Sequence, residues 1–136
     1  MNKLLCIGIL ACLSLAACKK VIDRKKEEII IDAITSSKWY IYSYQEGTTD
    51  ITASFSPYTF QFHRNGTVSG FTGTTEELGT WEGDIDTKSI TTNFPGAEEP
   101  INKLNAVWKI TNNTWDYVKA ETTIDGQKNL LHLKKK

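Results

Sequence analysis

Tyr58, Phe60 and Phe62 alternate with Thr59, Gln61 and His63, the period-two pattern of a strand with one buried face. That period governs most of the chain from Lys38 onward. It predicts eight strands, over 38–46, 58–63, 67–72, 78–84, 89–94, 106–111, 114–121 and 127–134. Arg64-Asn65-Gly66-Thr67 is the strongest hairpin signal, and Asn-Gly suits a type I′ turn with φ > 0 at both residues. Asp84 to Lys88 reads as a tight turn, Pro95 to Pro100 as a loop, and Asn112-Asn113 and Asp125-Gly126 as the last two turns. The form Gly-Thr-x-x-Gly occurs at 66–70 and again at 79–83. Both copies read as strand starts, with the second glycine at a bulge or bend.

Before Lys38 the period is different. In Ile29-Ile30-Ile31-Asp32-Ala33-Ile34, residues Ile30, Ala33 and Ile34 share a face at i, i+3, i+4. This predicts one short helix, ended by Ser36-Ser37, packing as a lid on the domain. Eight short strands with short connections predict an all-β fold: a small eight-stranded antiparallel barrel with a short N-terminal helix. A β-sandwich is the alternative. Trp39, Phe60, Phe62, Trp81 and Trp108 are the expected core, because few other large residues are available to fill the interior. Tyr40, Tyr42 and Tyr44 are placed on one face of the first strand, with hydroxyls at the rim, as contacts for a ligand or partner.

The first eighteen residues follow neither period. After Lys3, ten residues from Leu4 to Leu13 carry no charge, fewer than the roughly 20 needed to span a bilayer. The run fits a signal-peptide core. Its ending, Leu15-Ala16-Ala17-Cys18, resembles the lipobox of bacterial lipoproteins. The resemblance implies a diacylglycerol on the Cys18 sulfur, cleavage between Ala17 and Cys18, and acylation of the new N-terminus. Two or three acyl chains anchor a protein stably, at about 0.8 kcal/mol per buried methylene. Cys6, Cys12 and Cys18 are the three cysteines, so a chain beginning at Cys18 has no partner for a disulfide. The resemblance also implies that Lys19, where an Asp can mark retention in the inner membrane, points to the outer membrane. Periplasmic and surface-exposed orientations both stay open. The organisation expected is therefore a lipoprotein signal peptide over 1–17, a charged tether over 18–28 and a β domain over 29–136.

The stretch from Lys38 to Leu133 looks like the lipocalin-like domain of many bacterial lipoproteins. The residues carrying this are Trp39 in the first strand, Tyr58 to Phe62 before Asn65-Gly66-Thr67, Gly79-Thr80-Trp81, and Leu104 to Ile110. Where lipocalins carry Gly-x-Trp, this chain has Ser37-Lys38-Trp39. The resemblance implies a non-enzymatic barrel that binds a small apolar ligand or a glycan. The alternative is a structural or assembly lipoprotein whose barrel rim contacts another envelope protein.

Composition narrows the remaining chemistry. A chain of 136 residues makes one domain. The whole chain balances 16 basic against 16 acidic residues. Residues 39–133 hold twelve acids and six bases, a net of −6, while the tether and Lys134-Lys135-Lys136 supply positive charge. An acidic body disfavours nucleic acid as a partner. It fits a domain held off an anionic membrane by a basic foot. His63 and His132 stand far apart, and no motif has metal-ligand or nucleophile–base spacing. No cofactor, metal or catalytic activity is expected. Oligomeric state is not legible.

Overall fold

The structure, a computed structural model, describes residues 24–136. Of the described residues, 24–32 belong to one unit and Ala33–Lys136 form a second, compact one. Helix α1 covers 24–35 of the described residues. It reaches further toward the N-terminus than the isoleucine pattern predicts, because Lys25, Lys26, Glu27 and Glu28 are good helix formers. Ile29 and Ile30 are exposed, whereas Ile34, in the second unit, is buried.

The second unit is an antiparallel barrel. Its strands are β1 (Lys38–Glu46), β2 (Thr49–Asp50), β3 (Thr59–Phe62), β4 (Thr67–Phe71), β5 (Glu76–Asp84), β6 (Ser89–Asn93), β7 (Ala106–Asn113), β8 (Tyr117–Ile124) and β9 (Gln127–Lys135). Strand β2 is a two-residue return against the end of β1. The other eight follow one another around the wall, and β9 pairs with β1 to close it. Closure leaves no open edge in the wall, which a two-sheet sandwich would not achieve. Trp39, Phe60, Phe62, Trp81 and Trp108 are all buried, as the sequence predicts.

Three local expectations are corrected. The β3–β4 hairpin lies at Asn65-Gly66, but only Gly66 has positive φ (87°). His63 C=O accepts the Gly66 N–H (3.1 Å) and His63 N–H donates to Thr67 C=O (2.9 Å). This is an ordinary turn followed by a glycine bulge, and Asn65 serves it by accepting from Thr67 N–H (3.0 Å) and Thr67 Oγ1–H (2.7 Å). A turn with φ > 0 at both central residues does exist, at Asp125 (51°) and Gly126 (79°). Second, β8 begins at Tyr117 rather than Thr114, because Thr114 Oγ1 accepts the Asp116 N–H (3.1 Å) and holds 114–116 as the connection. Third, the second Gly-Thr-x-x-Gly copy lies inside β5, not at its start. There Gly79 lets Asn93 C=O and the Phe94 ring approach; a Cβ would stand 2.5 Å from that oxygen.

The β1–β9 pairing slips between Ile41 and Ser43. A bulge adds one residue to the pleat and moves later side chains to the other face. Trp39, Ile41 and Tyr44 are therefore the buried members of β1, while Tyr42 is 51% exposed. The three tyrosines do not share a face.

Candidate functional site

The barrel interior is the natural place to look for a ligand site in such a fold. Here it is filled. Phe60, Phe62, Phe94, Trp108 and Leu131 crowd the centre, and the cavity left among the apolar side chains is about 40 Å³. That is room for a few atoms and far short of the roughly 300 Å³ at which small-molecule pockets begin.

Buried side chains pack at both ends. At the upper end, where β1 finishes, two 3₁₀ turns fold inward. Thr52–Phe55 brings Phe55 to stack on Tyr44 at 5.3 Å, and Ile101–Leu104 buries Ile101 and Leu104. The Tyr44 hydroxyl donates to Lys103 C=O (2.8 Å), and Lys103 Nζ donates to Glu46 Oε2 (2.7 Å). Burial first, and then the neighbouring Glu46 charge, push the Tyr44 phenol up to about 12. Leu104 C=O accepts both Thr92 Oγ1–H and Trp108 Nε1–H. At the lower end, Trp39 Nε1–H donates to Ile34 C=O (2.8 Å) and Trp81 Nε1–H to His63 C=O (2.8 Å). Each interior indole thus ties a wall strand to a closing segment, which satisfies the polar atom that burial would otherwise strand.

The outer wall holds an aromatic cluster across β1, β9 and β8. His132 lies edge-on to Tyr42 (4.9 Å) and Tyr117 (5.5 Å). Lys134 Nζ sits 3.6 Å from the Tyr42 ring centroid, and Lys119 Nζ 5.8 Å from that of Tyr117. The buried His132 Nε2 has no hydrogen-bond partner. Burial, and then Lys119 and Lys134, hold the His132 imidazole below its ordinary value. Among the described residues, no cluster of three or more His, Cys, Asp or Glu side chains is placed to hold a metal ion.

Charge separates along the barrel axis. Of the described residues, the strand ends and loops of the upper end carry seven acids (Glu46, Asp50, Glu76, Glu77, Glu98, Glu99, Asp125) against Lys103 and Lys128. The lower end carries six bases (Lys38, Arg64, Lys88, Lys134, Lys135, Lys136) against Asp84, Asp86 and Asp116.

Of the residues singled out by sequence, Tyr42 is exposed on the wall, Tyr40 is half-buried beside it, and Tyr44 is sealed into the upper end. Ala17 and Cys18 lie outside the described residues. Trp115, 57% exposed in the β7–β8 connection, is absent from that set. The signal for it was available, since Thr114 and Asp116 flank it as turn residues do.

No family model and no curated protein matches the sequence. Among solved structures, the barrel is similar to a crystal structure of a DUF4847 family protein from Bacteroides vulgatus. The TM-score is 0.56 at 14% identity, covering 77% of this chain and 96% of that one. At that identity the likeness establishes a shared fold, an eight-stranded closed barrel.

Proposed function

We propose that this chain is a non-enzymatic, lipid-anchored lipoprotein of the cell envelope whose barrel is a solid structural or assembly module. The observation that carries the choice between carrier and module is the interior cavity of about 40 Å³. A carrier must release several large side chains before an apolar ligand or glycan can enter, and close packing makes that costly. The anchor rests on the Leu15-Ala16-Ala17-Cys18 ending behind an uncharged run. In this reading the acidic upper end, held away from the membrane, is offered to a partner in the envelope.

Purified protein should yield no co-purifying apolar molecule on solvent extraction. Its melting temperature should not move when a fatty acid or an aromatic probe is added. A ligand that binds the folded barrel would raise it, by about 2.7 kcal/mol of stability at a hundred times its Kd. A saturable rise of that kind would return the barrel to the carriers. Metabolic labelling with a radioactive fatty acid tests the anchor: Cys18→Ala should remove the label, and label retained by that variant refutes the assignment.

A further inference from the structure

We infer that the lower end of the barrel docks on an anionic bilayer surface, with Trp115 entering the headgroup region between lysines. This rests on the membrane anchor proposed above and adds a second, non-covalent contact. Trp39, Trp81 and Trp108 are buried and donate their indole N–H to the main chain. Trp115 is 57% exposed at the tip of a short connection. An amphipathic indole in water loses nothing, and gains apolar burial, by moving into a membrane interface.

The surroundings of Trp115 fit that interface. Lys135 Nζ lies 5.5 Å from its ring centroid, and Lys135 N–H donates to Asp116 C=O (2.9 Å), which pins the connection to β9. Lys136 N–H donates to Lys38 C=O (3.0 Å). Lys134 stands opposite Tyr40 on one side and Tyr117 on the other. The main chains of Lys38, Lys134, Lys135 and Lys136 thus meet at the edge that Trp115 occupies, with Asp116 the acid among them. Lys135 Nζ turns to Trp115, Lys134 Nζ to Tyr42 and Lys38 Nζ to Phe71, and Lys136 Nζ donates to Thr59 Oγ1 (2.8 Å). The chain also enters β1 at this edge. The far end carries the acids. The negative surface potential of an anionic leaflet attracts the first end and repels the second, so charge alone orients the barrel.

The test uses the full chain as cells process it, reconstituted in phosphatidylcholine vesicles with and without phosphatidylglycerol, with bromine-labelled acyl chains as quencher. Subtracting the emission of Trp115→Phe isolates Trp115. In anionic vesicles its emission should shift to the blue and be quenched by the bromines. Raising the salt to about 1 M, where the Debye length is about 3 Å, should reverse both effects. Lys135→Glu with Lys136→Glu should weaken docking by more than about tenfold, since each surface lysine is worth roughly fivefold. Intact mass reports acylation separately, and fluorescence is read on whichever form is obtained. An acylated chain whose Trp115 stays open to aqueous acrylamide and blind to the bromines overturns docking and spares the anchor. A chain without acyl groups whose Trp115 is quenched overturns the anchor and spares docking.

Discussion

Trp81 offers a perturbation whose cost separates into two parts. Its ring is 9% exposed and meets Phe62 edge-on at 5.7 Å. Its Nε1–H donates to His63 C=O at 2.8 Å, while Trp81 N–H donates to Gly66 C=O at 2.9 Å. The side chain therefore fills the lower interior and secures the β3–β4 turn. Trp81→Ala removes both functions and should cost about 3–5 kcal/mol. Trp81→Phe keeps most of the packing and removes the indole donor from His63 C=O, which retains the Gly66 N–H (3.1 Å). The lost hydrogen bond and the smaller ring together should cost about 1–2 kcal/mol. For a domain of this size the two variants should lower the melting temperature by roughly 15–25 °C and 5–10 °C. The measurement is urea denaturation of the chain shortened to residues 24–136, followed by far-UV circular dichroism, with thermal melts alongside. The order of the two variants matters as much as their size. A Trp81→Phe protein as unstable as Trp81→Ala would show that the hydrogen bond, not the packing, dominates. A Trp81→Ala protein as stable as wild type would refute the account of what fills this barrel.

Gly66 holds φ at 87°, so Gly66→Val should cost about 1–2 kcal/mol and several degrees of melting temperature. At Gly79 a Cβ would stand 2.5 Å from Asn93 C=O, a main-chain atom, and 2.8 Å from the Phe94 ring. Gly79→Ala should therefore destabilise by about 1–3 kcal/mol, read as a lower urea midpoint with an unchanged slope. Burial, then Lys119 and Lys134, depress His132 from its usual 6.5, so the unfolded chain takes up that proton first. The stability this confers is complete above 6.5 and is lost as the pH falls toward the folded value. Urea midpoints between about pH 5 and 8 should show that decline, and His132→Phe should flatten it.

The wall of the barrel was legible because its signals are local. Period-two alternation located eight strands, and β1, Lys38–Glu46, has the predicted bounds. The bulge between Ile41 and Ser43 was not legible, since it depends on how β9 registers against β1 across the whole domain. It is what sends Tyr44 inward, off the outer face that Tyr42 keeps. The Asn65-Gly66 turn shows a similar limit. The dipeptide marks a reversal, but the type of turn is set by the hydrogen bonds of His63. The emptiness or fullness of the interior is a sum over side chains from eight strands, and no single motif reports it. The axial charge separation was half visible: the basic chain ends stand out in sequence, whereas the acids of the upper end are scattered along it until folding collects them.

The closing pair of strands has a consequence for how the molecule comes into being. Apart from the β1–β3 and β1–β9 pairings, each wall strand bonds the neighbour next to it in the chain, so the ribbon can grow hairpin by hairpin as residues become available. The β1–β9 seam joins residues from opposite ends of the domain, such as Trp39 and Lys135, and cannot form until Gln127–Lys135 has been made. Until that moment β1 presents an unpaired edge, open to any strand that reaches it. A chain stopped short of β9 keeps that edge for good. Its fate is to pair with another copy of itself, so late truncations of this protein should appear as aggregates rather than as weakened barrels.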